Sequence, residues 1–303
     1  MKVLDLIGIG ECMVEFWSEV SLETADSFRR AHAGDVCNAL VSAARLGSRC
    51  GFVTQLGSDP FARGLLEFWR GEQLDLTLMR QVDADNGVYF ISVDAHGERS
   101  FTYRRAASAA SQITPDLLQA DYIASSHTLL LSGITQAISA SAQATTLLAA
   151  QIARQRGVRV AFDPNYRERL WQSRGGLPAA RAAYLELLPY VDVLLPSYPD
   201  DAPVLLGATP TSLEQFALEL PAPLVVVKAG ERGAMLNTDA QIQHIPATPV
   251  AAVVDSSGAG DAWNGAFLHY WRDHAPHVAA ARANEVAART LGFRGAIPPR
   301  GVV

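Results

Sequence analysis

The sequence is poor in cysteine, in clustered basic residues and in long apolar runs, and each shortage excludes a class of protein. Its three cysteines, Cys12, Cys37 and Cys50, are odd in number and form no CxxC pair, so we expect buried thiols in a reducing compartment. Lysine and arginine form no dense run and the formal net charge is -6, which argues against a nucleic-acid partner. No segment reaches the roughly 18 uninterrupted apolar residues of a membrane helix. Asp5 and Glu11 interrupt the apolar N-terminus before a signal-peptide core forms, and we expect a soluble, cytoplasmic protein.

The composition that is present suits one large α/β domain. Of 303 residues, 49% are hydrophobic and 18% are charged, as in an ordinary globular chain. Strand-like runs occur at 3–9, 50–55, 128–133, 158–163, 191–196 and 223–230, and helical patterns at 36–47, 61–70, 139–157 and 176–189. Apolar strands separated by crossover helices predict a mostly parallel sheet sandwiched by helices.

Two segments, 11–20 and 87–107, break this alternation because their apolar residues recur at every second position, as in strands with one wet face. The second segment predicts a hairpin whose strands are joined by Ala95-His96-Gly97, since glycine suits the left-handed residue that closes a short loop. We expect about 11–33 and 87–107 to form a small antiparallel β lid over a polar substrate, within a single domain spanning 1–303. A hairpin that only covers the surface is the alternative.

The hairpin register places three functional candidates on one face. Pairing the two residues that flank the loop sets Tyr89 opposite Tyr103 and Ile91 opposite Phe101. Because side chains alternate between faces along a strand, Tyr89, Tyr103 and Arg105 share one side. Two rings and a guanidinium suit a polar, anionic substrate, although Arg105 could also be a solvated charge at the strand edge.

The stretch DSSGAGDAWNGAF places an acid where the backbone is least covered. It follows a predicted strand at 250–254 and enters a predicted helix at about Gly260. The first-turn amides of a helix have no intrahelical partner and lie at the positive end of its dipole. The amides from Gly258 to Asp261 therefore predict an anion hole for phosphoryl oxygens. Asp261 could then accept the proton of an attacking hydroxyl, or it could simply cap the helix.

Over essentially its whole length the chain resembles the ribokinase-like (PfkB) carbohydrate kinases. Their C-terminal signature, D-T-x-G-A-G-D, matches Asp255 and 258–261, with Ser256 in place of threonine. Their N-terminal sugar loop, a Gly-Gly pair followed by an asparagine, matches 33–38 with Ala33 in place of the first glycine. The resemblance implies ATP and Mg²⁺ as cofactors, and it leaves monovalent-cation dependence open.

The same resemblance implies the site residues. Those expected to bind substrate are Gly34, Asp35, Asn38, Tyr89, Tyr103, Arg105, Arg167 and Asp261, with Asp261 as the catalytic base. Those expected to bind the nucleotide are Asn165, Arg167, Lys228, Gly230, Glu231, Arg232, Gly233, Gly258, Ala259, Gly260, Asp261 and Asn284. The N-x-x-E motif that organises magnesium in the family falls weakly on Ser197 and Asp200, so the metal-organising residues stay unassigned.

Two arginines favour an anionic substrate, because arginine binds carboxylates in a bidentate geometry. Arg105 ends the predicted hairpin and Arg167 lies in DPNYR just after a strand. With the tyrosines they resemble the substrate set of family members that phosphorylate 2-keto-3-deoxygluconate. We expect transfer of phosphate to the terminal hydroxyl, giving 2-keto-3-deoxy-6-phosphogluconate in sugar-acid catabolism. A fructokinase or ribokinase type, with Arg167 serving ATP alone, is the alternative.

Other classes of function fit less well. The GIGECM string would need a glycine at Met13 to be a dinucleotide-binding fingerprint, and no Gly-Lys-Ser/Thr occurs. A non-catalytic sugar- or nucleotide-binding protein would be expected to lose the acid or the glycines, and both are present. The expected partners are a sugar acid, ATP and a second copy of the chain. Phe16 and Trp17 would suit that lid-to-lid contact, or would pack against the lid's own hairpin.

Overall fold

The computed structural model describes residues 2–93, 99–208 and 210–303. Its strands are β1 (Leu4–Ile9), β2 (Met13–Trp17), β3 (Arg29–Ala33), β4 (Cys50–Leu56), β5 (Met79–Gln81), β6 (Val88–Val93), β7 (Arg99–Arg104), β8 (Ser126–Ser132), β9 (Arg159–Asp163), β10 (Val193–Leu194), β11 (Leu224–Lys228), β12 (Ala234–Thr238) and β13 (Gln241–Ile245). Its helices are α1 (Asp35–Arg45), α2 (Ala62–Gly71), α3 (Ala120–Ala124), α4 (Gly133–Ile138), α5 (Ala140–Gln155), α6 (Glu168–Trp171), α7 (Gly176–Leu187), α8 (Ala202–Leu206), α9 (Leu213–Glu219), α10 (Ala259–Trp271) and α11 (Pro276–Thr290).

The large sheet has the strand order β13-β12-β11-β10-β9-β8-β1-β4-β5. Its strands pair in parallel from β11 to β5, and β12 and β13 add an antiparallel edge. Helices cover both faces, which confirms the predicted sandwich. Successive side chains enter opposite cores, so Leu129 and Leu131 pack on one side of the sheet and Leu130 on the other.

The two cores divide the helices between the faces of the sheet. Helices α1, α2, α10 and α11 pack against one face, and α5, α7, α8 and α9 pack against the other. Because both faces are covered, the strands are apolar along their whole length, and every residue of β1 is buried. Among the described residues, none of the helices combines the length and the apolar character needed to cross a bilayer.

Four strands form a second sheet, here named the small sheet, in the order β3-β2-β6-β7. All four lie within 11–33 and 87–107. The outer pairs are antiparallel and the central β2–β6 pair is parallel. The predicted hairpin register is confirmed, because Tyr89 pairs with Tyr103 and Ile91 with Phe101. The predicted loop at Ala95-His96-Gly97 falls outside the described residues.

The aromatic residues of β2 have partners within the same chain. The Phe16 ring lies 5.5 Å from that of Phe90 and 5.7 Å from that of Phe61. Trp17 is buried, and the Arg294 guanidinium lies 4.1 Å from its ring centroid. These contacts account for both side chains without a second copy, so pairing through the small sheet stays a prediction.

The predicted strand at 250–254 is wrong. The segment is not hydrogen-bonded into either sheet, and Val253 and Val254 are 62% and 45% exposed. Two adjacent valines favour a strand intrinsically, but that preference is decided by packing against neighbours, and this segment has none on its exposed side. The helix that follows starts at Ala259, one residue before the predicted position.

Candidate active site

Polar side chains gather where strands near the middle of the large sheet end. Ser132 closes β8, Asp163 closes β9, Lys228 closes β11, and Glu11 follows β1. The carboxyl ends of parallel strands share one edge of a sheet, and open α/β folds bind ligands at that edge. Neither Glu11 nor Ser132 was predicted as a site residue, because each interacts with a partner distant in the sequence, Arg105 and Asp35 respectively.

Asp261 lies in the first turn of α10, opposite the N-terminus of α1. Its Oδ2 atom accepts a hydrogen bond of 2.8 Å from Asn38 Nδ2. Burial, and next the negative charge of Asp35, raise the pKa of Asp261 from 3.8 to about 7, against the lowering effects of Asn38 and Lys228. A general base works best when its pKa lies near the working pH, so this carboxyl is suited to accept a proton at neutral pH.

The backbone beside Asp261 offers unpaired donors. Gly258 adopts a left-handed conformation (φ 70°) at the start of α10, and a Cβ there would lie 2.3 Å from the Ala296 carbonyl oxygen. The Ala259 amide donates to Ser256 O at 3.3 Å, which removes it from the predicted anion hole. Within the described part of the chain, the amides of Gly258, Gly260 and Asp261 have no acceptor. A Cβ on Gly260 would meet nothing within 4 Å, so the space beside these amides is open.

The predicted sugar loop faces these donors from α1. A Cβ on Gly34 would lie 2.0 Å from the Glu11 carbonyl oxygen, so glycine is required by this close approach and not by its extended φ of -175°. The Gly34 amide donates to Asn38 Oδ1 at 3.2 Å. Asn38 therefore connects the loop to Asp261 through its two polar atoms.

Asp35 is the second carboxyl of the site. Its Oδ2 accepts hydrogen bonds from Ser132 Oγ and, at 3.4 Å, from Asn165 Nδ2. Its Oδ1 is buried and has no partner among the described residues. Burial, opposed by the Ser132 bond and assisted by nearby carboxylates, raises the pKa of Asp35 to about 6. The unpartnered oxygen is free to accept a hydrogen bond from a ligand hydroxyl.

The small sheet brings its three candidates together over this region. The rings of Tyr89 and Tyr103 stack with centroids 5.4 Å apart, and the Arg105 guanidinium lies 4.6 Å from the Tyr103 centroid. Tyr89 is buried, with its hydroxyl donating to Glu15, whereas Tyr103 is 44% exposed. Tyr103 therefore keeps an exposed ring that stacks on the buried ring of Tyr89.

Arg105 forms an ion pair with Glu11, and this pair is buried. The two side chains are 12% and 2% exposed, so Arg105 is not a solvated charge at the strand edge. Arg105 Nε and Glu11 Oε2 are buried and have no hydrogen-bond partner within the described residues. The predicted carboxylate-binding arginine thus carries its own counter-ion.

Arg167 is exposed just after β9, immediately before α6. Burial raises the pKa of Tyr103, and the positive charges of Arg105 and Arg167 act against that rise, which places Arg167 close to the small-sheet candidates. No ion pair of Arg167 occurs among the described residues. Of the two predicted arginines, Arg167 is therefore the one that has no carboxylate partner in the described part of the chain.

A family model for pfkB family carbohydrate kinases matches residues 4–300. The chain belongs to this family. It is 30% identical to the 2-dehydro-3-deoxygluconokinase of Haemophilus influenzae, over 95% of this chain and 94% of that protein. It is 32% identical to the 2-dehydro-3-deoxygluconokinase of Dickeya dadantii, over 99% and 98%. The crystal structure of a PfkB protein from Polaromonas sp. JS666 shares the fold with a TM-score of 0.87 and 28% identity, over 99% and 97%.

In this carbohydrate kinase Lys228, the first residue of the predicted nucleotide loop, already has hydrogen-bond partners within the chain. Lys228 Nζ donates to Asp163 Oδ2 at 2.7 Å and to Asn264 Oδ1 at 3.0 Å. The side chains of Lys228 and Asp163 are 10% and 6% exposed. The ammonium group therefore neutralises a buried carboxylate beside Asp261, which lies one helical turn before Asn264.

The rest of the predicted nucleotide loop forms a short 3₁₀ turn, Gly230–Arg232. Gly233 ends it with a φ of 81°, and a Cβ there would lie 2.1 Å from Ile245 O. Glu231 and Arg232 line a cavity of about 580 Å³ on the α9 side of the sheet. Asp261 is not among the residues lining that cavity, so the volume adjoins the predicted nucleotide loop and is separate from Asp261.

Asn284 of α11 is buried and uses its polar atoms within the chain. Its Oδ1 accepts from Trp263 Nε1 at 2.8 Å, and its Nδ2 donates to Pro246 O at 2.8 Å. These bonds fix α10 and α11 against the segment after β13. The Asn284 side chain, which was predicted to contact the nucleotide, thus has a hydrogen-bond partner within the chain for each of its two polar atoms.

The two carboxyls at the weakly matched metal motif differ in burial. Asp200 is exposed, whereas Asp201 is buried and accepts from the amides of Ser197, at 2.7 Å, and Tyr166, at 2.8 Å. Burial, and next the charge of Asp163, raise the pKa of Asp201 to about 6. The described ranges contain no group of three or more His, Cys, Asp or Glu residues arranged to hold a metal ion.

Proposed function

We propose that this carbohydrate kinase transfers the γ-phosphoryl group of ATP to the terminal hydroxyl of 2-keto-3-deoxygluconate. The observation that carries the proposal is the position of Asp261. This carboxyl, with a pKa near 7, lies beside the unpaired amides of Gly258 and Gly260 and is tied by Asn38 to the sugar loop. A proton acceptor and an anion hole thus share one helix terminus.

In the proposed reaction Asp261 accepts the proton of the terminal hydroxyl as that oxygen attacks the γ-phosphorus. The new O–P bond forms as the bond from the γ-phosphorus to the bridging oxygen of ADP breaks, and ADP leaves with the charge on its β-phosphate. The amides of Gly258, Gly260 and Asp261 hold the transferring oxygens. Such preorganised donors stabilise developing charge without reorganising, and phosphoryl transfer depends mainly on this positioning.

Mg²⁺ is expected to arrive with the nucleotide. In such sites it would bind through one or two carboxylates together with phosphate oxygens and water. Asp163 and Asp201 are close enough to each other to raise the pKa of Asp201, and Asp163 is compensated by Lys228. Asp201 is therefore the carboxylate that would help to hold the ion, and the ion would supply the positive charge that neutralises the phosphates.

The sugar acid is proposed to lie between α1 and the small sheet. Asp35 Oδ1 would accept a hydroxyl hydrogen, the exposed ring of Tyr103 would cover the carbon chain, and Arg167 would meet the carboxylate. Two curated relatives that act on this substrate align along nearly the whole chain. A carboxylate in this place adds the interaction that a neutral ketose lacks, and a charge-assisted hydrogen bond contributes about 1.5–3 kcal/mol.

The test is a coupled assay of ADP release with 2-keto-3-deoxygluconate, fructose and ribose, with the product located by phosphorus NMR. We expect the highest kcat/KM for the sugar acid and phosphate on its terminal oxygen. A higher kcat/KM for fructose or ribose would move the chain to the alternative sugar kinases. Absence of turnover with every substrate would favour a non-catalytic binding protein.

A further inference from the structure

One arginine of the small sheet reaches the loop that precedes the anion hole. Arg99 begins β7, and its Nη1 donates to Asp255 Oδ1 at 2.5 Å while its Nη2 donates to Val254 O at 3.0 Å. The Asp255 side chain is 4% exposed and that of Arg99 is 30% exposed. One guanidinium thus holds two consecutive residues of a segment that belongs to neither sheet.

Asp255 also fixes the start of α10. Its Oδ1 accepts from the Ser257 amide and its Oδ2 from the Gly295 amide, both at 2.9 Å. Burial acts to raise the pKa of Asp255, but these amides and Arg99 lower it overall, so the group is a carboxylate at neutral pH. The loop at 255–258 is therefore held against 295–296, on which Gly258 packs.

The small sheet contacts these same loops at a second point, where Arg294 lies over Trp17 of β2. Between the two contacts lies Glu15, which is 3% exposed and accepts a hydrogen bond from the Tyr89 hydroxyl. The charges of Asp255 and Arg99 both act on Glu15. Tyr89, behind the exposed Tyr103 ring, is thus hydrogen-bonded to Glu15, whose charge interacts with those of Arg99 and Asp255 beside the anion-hole loop.

We propose that Arg99 is a positioning residue that couples the seating of the small sheet over the sugar to the shape of the anion hole at 258–261. This inference rests on the proposed kinase function. Arg99 touches no reacting atom in the proposed site, and it acts through Asp255. When the sugar holds the small sheet in place, Arg99 fixes Asp255, and Asp255 fixes the loop that supplies the amides. Binding of sugar and of nucleotide then favour each other, and such coupling is reciprocal.

The test compares Arg99→Ala with Arg104→Ala. Arg104 lies on the same strand, is exposed, and donates only to the carbonyl of the adjacent Tyr103 among described residues, so its variant controls for loss of an arginine from the small sheet. We expect Arg99→Ala to lower kcat about 10- to 100-fold, the effect of misplacing a catalytic group by about 1 Å, and Arg104→Ala to leave it within about twofold. Added guanidinium chloride should restore part of the Arg99→Ala activity, whereas equal tetramethylammonium chloride should not.

Calorimetry separates positioning from a merely structural role. In the wild type we expect 2-keto-3-deoxygluconate to tighten binding of a non-hydrolysable ATP analogue, and in Arg99→Ala this tightening should fall to about onefold. Equal tightening in both proteins, or a kcat equal to that of Arg104→Ala, overturns the inference. A lowered Tm with no guanidinium rescue assigns Arg99 to folding alone and also overturns it. If Asp261→Asn retains full activity, the proposed function fails; an inactive Asp261→Asn with a fully active Arg99→Ala removes this inference only.

Discussion

Replacing the acid of the anion-hole helix should disable the enzyme and stabilise the protein at the same time. Folding raises the pKa of Asp261 from 3.8 to about 7. Each pKa unit corresponds to about 1.4 kcal/mol, so the ionised carboxyl at alkaline pH opposes folding by at most about 4 kcal/mol. Asp261 is only half-buried and shares this cost with Asp35, and Asn38 can still donate to an asparagine. We therefore expect Asp261→Asn to gain about 1–2 kcal/mol of unfolding free energy at pH 8.

The sign of the pH dependence follows from proton binding. Between about pH 4 and pH 7 the folded protein keeps the Asp261 proton that the unfolded chain has lost, so this group's contribution to stability falls as pH rises through that range. The gain of Asp261→Asn should therefore be large at pH 8 and vanish towards pH 4. Urea unfolding at both pH values measures it. Asp273→Asn, at an exposed position after α10, is the matched control and should show no such gain.

The same variant should lose about 10²–10⁴-fold in kcat, the usual contribution of a positioned general base, while ATP binding stays near the wild-type value. Two results would refute the reasoning. Normal turnover would remove Asp261 as the base. A variant no more stable than wild type at pH 8 would mean that the surroundings of Asp261 do not raise its pKa.

Three further predictions concern other charged residues of the candidate site. Arg105→Ala should destabilise the fold by about 3–5 kcal/mol, because it leaves Glu11 buried and unpaired, and adding Glu11→Gln should recover most of this loss in a denaturation curve; a single variant as stable as the wild type would contradict the buried ion pair. Asp35→Asn should move the acid limb of the kcat/KM profile to lower pH, since removing a negative neighbour lowers the pKa of Asp261; an unmoved limb would exclude the coupling. Lys228→Met should move the limb to higher pH, since removing a positive neighbour raises the same pKa, and a shift in the other direction would contradict the arrangement.

Local patterns were enough to predict the parallel core and the hairpin. Strands buried on both faces are apolar throughout, and a two-residue period fixes which side chains of β6 and β7 share a face, so Tyr89 and Tyr103 could be paired without the structure. The same reasoning failed at Val253 and Val254, because valine favours a strand only where another strand is available beside it. Whether a neighbouring strand is present depends on the whole fold, so it could not be predicted from the sequence of that segment alone.

Pairings across long separations could not be predicted. Lys228 was predicted as a nucleotide ligand, but its partners Asp163 and Asn264 were not, and the buried Asp201 was not distinguished from the exposed Asp200 beside it. In each case the residue type was recognised, and its partner came from another element of the fold. Carboxylate pKa values depend on such partners, so the coupling of Asp261 to Asp35 also lay beyond the sequence.

The close approach of Gly34 to the backbone of Glu11 fixes where β2 and β3 join the rest of the protein. Glu11 lies just before β2 and Gly34 just after β3, and a Cβ at Gly34 would fall 2.0 Å from the Glu11 carbonyl oxygen. Any residue other than glycine at position 34 would therefore have to displace the backbone at Glu11, and with it the residue that forms the ion pair with Arg105.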